Sequence, residues 1–164
     1  AFIPCAYGGG ISNLEQATKI FRIGFEKIVA QTSLLNSLFC NEVVEKYGRQ
    51  ALVGSIDIVD GDTFKIGKRF FSRNDLRKII KDSNCGELIF QCISRDGTKE
   101  GLDFDLLKFL DEFADVPIVF SGGCKNKEEI DYALTTNVSA IGVGGYFVYS
   151  PSNAVLITYY RRPY

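Results

Sequence analysis

An internal repeat constrains this chain more than any other feature. Ile3-Pro4-Cys5-Ala6-Tyr7-Gly8-Gly9-Gly10 lies over Val116-Pro117-Ile118-Val119-Phe120-Ser121-Gly122-Gly123 without a gap, and at the same 113-residue offset Asn13 meets Asn126, Glu15 meets Glu128 and Ile28 meets Ile141. Each copy reads as apolar strand, glycine turn, capped helix and second apolar strand. Strands that alternate with helices build a parallel sheet covered by helices. A glycine turn that feeds a helix exposes backbone N–H groups able to hold an anion. Two related copies predict two related anion sites on one sheet, and hence a ligand with two phosphates.

The spacing of the elements sets the architecture. Strands are predicted to start near residues 2, 27, 51, 87, 116 and 139, with helices between most of them. Ser12-Asn13-Leu14-Glu15 fits a capping box that opens a helix to about Ile23, and Ser72-Arg73-Asn74-Asp75 caps another to about Lys81. Residues 59–70, with two glycines and alternating side chains, read as a hairpin-like excursion. Residues 154–159 fit a terminal strand or a helix. The repeat offset spans four βα units, and a ring with that symmetry has eight strands. The six strands are then strands three to eight of an α/β fold, a (β/α)8 TIM barrel, incomplete here. An open doubly wound sheet is the alternative, but it gives no reason for a four-unit repeat. Residues 1–164 read as a single partial barrel domain.

Composition narrows the chemistry. The chain has no histidine, which removes Ser-His and Cys-His nucleophile systems and most transition-metal sites. Proton transfer must then fall to carboxylates, Lys, Tyr or Cys. A net charge of −1 gives no steering toward nucleic acid or an anionic membrane, and no apolar run is long enough to span a bilayer. Five cysteines are scattered without a C-x-x-C pair, which predicts reduced thiols in a cytoplasmic protein. The absence of methionine predicts that the stretch belongs to a longer chain that starts upstream.

These residues resemble a known family. Ile3-Pro4, Gly8-Gly9-Gly10-Ile11, Lys27, Thr32, Gln50-Ala51, Ile56-Asp57, Gly86-Glu87, Arg95-Asp96-Gly97-Thr98-Lys99-Glu100-Gly101, Asp103, Pro117 and Ser121-Gly122-Gly123 are similar to the cyclase subunit of imidazole glycerol phosphate synthase, a phosphate-binding TIM barrel of histidine biosynthesis. The likeness runs from residue 1 to about Phe147. It implies that the family's first two βα units, including an essential aspartate on the first strand, do not lie in this stretch. The stretch by itself is then expected to be inactive and not to close a barrel.

The resemblance implies roles for particular residues. Asp57, at the end of an otherwise apolar strand, matches the family's second essential aspartate, an acid/base in ring closure; a capped loop is the plainer reading. Asp96 matches an active-site carboxylate, with Thr98 and Lys99 in a loop over the substrate. Gly10, Gln31 and Thr32 match one phosphate site, and Gly123, Gly144 and Gly145 the other. Gln31 replaces the family's usual asparagine, and Gly144-Gly145 replaces an Ala-Ser pair. Lys27 and Glu87 precede strands at the opposite mouth and match a charged gate for ammonia, or else form a simple surface ion pair.

The implied activity is that of a lyase in a glutamine amidotransferase complex. A glutaminase subunit in a heterodimer supplies ammonia, which cyclises a bisphosphorylated ribulosyl-formimino ribonucleotide; no metal or organic cofactor is implied. Three other readings stay open. Tyr146-Phe147-Val148-Tyr149 and residues 154–159 resemble cyclase-like paralogues that assist sugar amidation in surface-polysaccharide biosynthesis. Ile93-Ser94-Arg95-Asp96-Gly97-Thr98 also resembles the related isomerase of the same pathway. A non-catalytic ammonia conduit or phosphate-binding scaffold is the reading from a different class.

Overall fold

The computed structural model describes residues 3–148. Residues 154–159 lie outside the described residues. Six parallel strands form a curled sheet, the frame of an incomplete (β/α)8 barrel. They are β1 (Ala6–Gly8), β2 (Lys27–Ala30), β3 (Leu52–Ile58), β6 (Glu87–Cys92), β7 (Ile118–Ser121) and β8 (Ala140–Gly142), side by side in chain order. Two short strands, β4 (Phe64–Ile66) and β5 (Arg69–Phe71), make an antiparallel hairpin on β3. Helices α1 (Leu14–Arg22), α2 (Ser37–Tyr47), α3 (Arg73–Ser83), α4 (Phe104–Leu110), α5 (Lys127–Ala133) and α6 (Gly145–Val148) fill the connections. No helix among the described residues is long and apolar enough to cross a membrane.

Strand alternation separates two faces of the sheet. Leu52, Ile56 and Ile58 of β3, Leu88 and Phe90 of β6, and Ile118 and Phe120 of β7 are buried with Phe39, Leu76, Leu106 and Leu110 in one apolar cluster. The opposite, concave face carries Lys27, Val29, Ser55, Asp57, Glu87, Ile89, Gln91, Val119 and Ser121, most of them half-buried. The core therefore lies between sheet and helices, and the concave face is left for a ligand.

The repeat is present at the level of single hydrogen bonds. Asn13 caps α1 by accepting from Gln16 N at 3.0 Å, and Asn126 caps α5 by accepting from Glu129 N at 3.0 Å. In the first copy Ser12 N donates to the Gln16 side chain at 2.9 Å; in the second, Lys125 N donates to the Glu129 carboxylate at 3.1 Å. The preceding glycines agree as well: Gly9 and Gly122 have φ of 120° and 105°, Gly10 and Gly123 of 69° and 91°. Asn13, rather than Ser12, is thus the cap of the first helix. Ser72 caps α3 as expected, and Asp75 completes a capping box with it.

Phe2 lies outside the described residues; within them the first strand starts at Ala6, later than the apolar run from Ile3 predicts. Pro4 has no N–H to give to a ladder. The Cys5 carbonyl instead accepts from Glu26 N at 3.0 Å.

All five cysteines are free thiols, with Cys5 exposed and the other four buried. Burial disfavours the thiolate. It pushes Cys40 up to about 12, helped by the neighbouring Cys85, and it raises Cys85 and Cys124 as well. At pH 8 a water-soluble disulfide reagent is expected to modify one thiol per chain quickly, at Cys5, and the rest only on unfolding. Loss of the fast phase in Cys5→Ser checks the assignment; two or more fast thiols in the native protein would contradict it.

Candidate active site

The carboxyl ends of the parallel strands form one rim, and both glycine turns lie on it. Gly8 ends β1 and Gly9-Gly10 follow it, while Gly122-Gly123 follow β7. The first turn lines a cleft of about 600 Å³ together with Gln31, Thr32, Ser33, Asn36 and Ser55. The second lines a smaller cleft of about 110 Å³ together with Asp96, Lys99, Ser121, Gly144 and Gly145. Every residue named from the sequence as a phosphate ligand thus lines one of two separate clefts on one rim.

The second turn is the tighter of the two. A Cβ at Gly122 would stand 2.4 Å from the Cys92 carbonyl oxygen, and one at Gly123 would stand 2.5 Å from that of Gly101. At Gly10 a Cβ would meet nothing within 4 Å. Gly10→Ala is therefore expected to cost only the positive-φ strain, about 1 kcal/mol in denaturant unfolding. Its methyl would stand in the open cleft.

Asp57 sits between the clefts, at the end of β3, where it is half-buried. Gln31 Nε2 donates to its Oδ1 at 3.0 Å. Gln31 therefore lines the first cleft and also holds the carboxylate. In register beside Asp57 stands Gln91, whose Nε2 donates to Asp96 Oδ2 at 3.1 Å. The order across the rim is amide, carboxylate, amide, carboxylate. Gln91 is absent from the sequence-based site. Its signal was the alternation of β6, which places it on the same face as Glu87.

The loop that carries Asp96 is cross-linked to itself and to its neighbours. Arg95 donates to the Gly101 carbonyl at 3.2 Å and pairs with Asp103 at 3.1 Å, while Asp103 caps α4 through Leu106 N. Gly101 N donates to the Gly123 carbonyl at 2.9 Å, and the buried Glu129 accepts from Leu102 N at 3.2 Å. Glu129 is a second residue that the sequence reading passed over. The Thr98 hydroxyl turns inward to the Arg95 carbonyl, 2.9 Å away, rather than toward the clefts. Lys99 lines the second cleft with a φ of +56°.

Lys27 and Glu87 lie at the other mouth. Each begins its strand, and their side chains form an ion pair across the intervening β3. Four residues along the strands, about 13 Å, separate this pair from the Gln31 and Gln91 level. Between them the concave face carries Val29, Ile89 and Val119, with one hydroxyl at Ser55.

Comparison with known proteins fits this geometry. The histidine biosynthesis protein family matches residues 1–151. A Pseudomonas aeruginosa protein provisionally named imidazole glycerol phosphate synthase subunit hisF2 is 36% identical over 171 aligned residues, covering 96% of this chain and 67% of the relative. A Leptospira interrogans protein provisionally named subunit HisF of the same enzyme is 33% identical, covering 98% of this chain and 68% of the relative. Subunit HisF from Pelodictyon phaeoclathratiforme is 33% identical, covering 79% of this chain and 55% of the relative. The chain thus spans about two-thirds of the first two and about half of the third. On the matched span, the shared sequence and the barrel frame, this chain belongs to the histidine biosynthesis protein family and is similar within it to the HisF subunit of imidazole glycerol phosphate synthase.

Proposed function

We propose that this chain carries most of a cyclase site that takes ammonia from a glutaminase partner and closes an imidazole ring. The observation that carries the reading is the line from Gln31 to Asp57, Gln91 and Asp96, set between two glycine-lined clefts on one rim. A ligand with a phosphate at each end would lay its middle across the two carboxylates. Backbone N–H groups and small hydroxyls would hold the phosphates. Asp57 would move protons as ammonia adds at the formimino carbon, and Asp96 would assist. The ring closes on the ribulosyl carbonyl with loss of water. Imidazole glycerol phosphate and an aminoimidazole carboxamide ribonucleotide leave. No metal enters this scheme, because carboxylates supply the proton transfers.

The ion pair of Lys27 and Glu87 would close the ammonia entrance at the opposite mouth, and the aliphatic stretch between would carry the neutral molecule to the rim. We place the chain in the cytoplasm, consistent with its five free thiols.

The test is turnover of the bisphosphorylated ribulosyl-formimino ribonucleotide by the intact protein with ammonium as nitrogen source. Release of the aminoimidazole ribonucleotide is expected. If the protein instead only isomerises the ribosyl precursor, the related isomerase is the right reading. Binding of the substrate without turnover of either compound would leave the conduit or scaffold.

A further inference from the structure

The two clefts are not equally equipped to hold an anion. Lys99 lines the second, whereas no lysine or arginine is among the described residues that line the first. Lys19 stands by a hollow behind the first glycine turn, but it is paired with Glu15 at 2.8 Å on the exposed face of α1. A phosphate dianion in the first cleft would have backbone amides and hydroxyls but no opposite charge.

A lysine lies nearby on the hairpin. β2 pairs with β3 only as far as Ala30 and Gly54. Beyond that point the same edge of β3 is taken by β4, with Asp57 opposite Lys65 and Ile58 opposite Phe64. β4 therefore continues the lane of β2 past its end, and β5 continues the lane of β1. Residues directly opposite in an antiparallel pair point to the same face. Phe64 and Ile66 are fully buried in the core, so Lys65 between them points to the concave side with Asp57. Phe70, opposite Lys65 on β5, shares that face and is 64% exposed. The hairpin turn is seated on the cleft itself: a Cβ at Gly67 would stand 2.6 Å from the Thr32 hydroxyl.

A single exposed phenylalanine or lysine is ordinary on a protein surface. Here both lie in the row that contains Asp57, outside the cleft's own lining but on the hairpin whose turn packs against Thr32 of the cleft that lacks a cation. Lys65 makes no ion pair among the described residues, so its ammonium is available to a ligand.

We propose that Lys65 is the cationic ligand of the first anion cleft, binding the phosphate held by the Gly8–Gly10 turn, with Phe70 covering that cleft from the hairpin side. This rests on reading the first cleft as a phosphate site. Lys65 would also place a positive charge between that phosphate and Asp57.

Phe70→Trp provides the probe, because the chain has no tryptophan of its own. Inorganic phosphate titrated into this variant is expected to change the indole emission saturably, with a midpoint that rises with ionic strength. Adding Lys65→Gln should weaken phosphate about tenfold, the scale of one charge-assisted hydrogen bond, while Lys65→Arg keeps most of the affinity. Calorimetry on otherwise wild-type protein with and without Lys65→Gln guards against an effect of the introduced indole. If phosphate changes the indole signal equally well with glutamine at position 65, the role of Lys65 is overturned and the cleft stands. If phosphate gives neither heat nor signal, the reading of the cleft itself fails, and the proposal with it.

Discussion

Asp57→Asn is expected to lower turnover by about 10²–10⁴-fold, the usual weight of a positioned acid/base, while leaving substrate affinity within about twofold. The substitution keeps shape and removes only the titrating group. The Gln31 amide, now 3.0 Å from Oδ1, can donate equally well to the asparagine carbonyl. Neither cleft includes Asp57 in its lining, so ligand anchoring should persist. The measurement pairs steady-state turnover on ammonium with calorimetric affinity in the intact protein. Activity within tenfold of wild type would remove Asp57 from the proton path. Loss of affinity and activity together would make it a binding group instead.

Gly122→Ala should damage stability far more than Gly10→Ala. The φ of 105° at Gly122 is a conformation that side chains rarely adopt, and the new methyl would sit 2.4 Å from the Cys92 carbonyl oxygen at the end of β6. Positive-φ strain costs about 1–3 kcal/mol, and overpacking against a backbone that cannot rotate away adds about 1–3 kcal/mol. A loss near 3 kcal/mol corresponds to a fall of about 1.5 M in the urea midpoint for a domain of this size. Gly10→Ala, at a turn with open space around it, is the matched control. Equal midpoints for the two variants would mean that β6 and β7 do not meet as closely at this rim as described. The contact also bears on function, because the loop carrying Asp96 departs from the same end of β6.

How much of this was legible in advance depended on range. Local chemistry was: Ser72 accepts the helix-end amide that its position before an apolar-periodic run implies, and Asn126 repeats the cap of Asn13. Alternation along β6 offered Gln91 to the same face as Glu87, but only the register of β6 on β3 sets it beside Asp57. The hairpin between residues 59 and 70 was visible as glycines and alternation, but its partner was not, because β4 could take the edge of β3 only where β2 had already ended. That geometric accident brings Lys65 opposite Asp57. Gln31 was read as a phosphate ligand, and its bond to Asp57 was hidden because it depends on side-chain reach across two strands. Glu129, which the pattern of its helix does not single out, is buried and holds the amides of Leu102 and Lys125.

The linear chain determined the repeat, the alternation of strands and helices and the two glycine turns, since these follow from short-range sterics and hydrogen bonding within a few residues. The folded state alone decided which carboxylate meets which amide, which lane the hairpin occupies and which cleft lacks a cation. Those outcomes are set by register between strands far apart in sequence, where a shift of one residue turns every side chain to the other face.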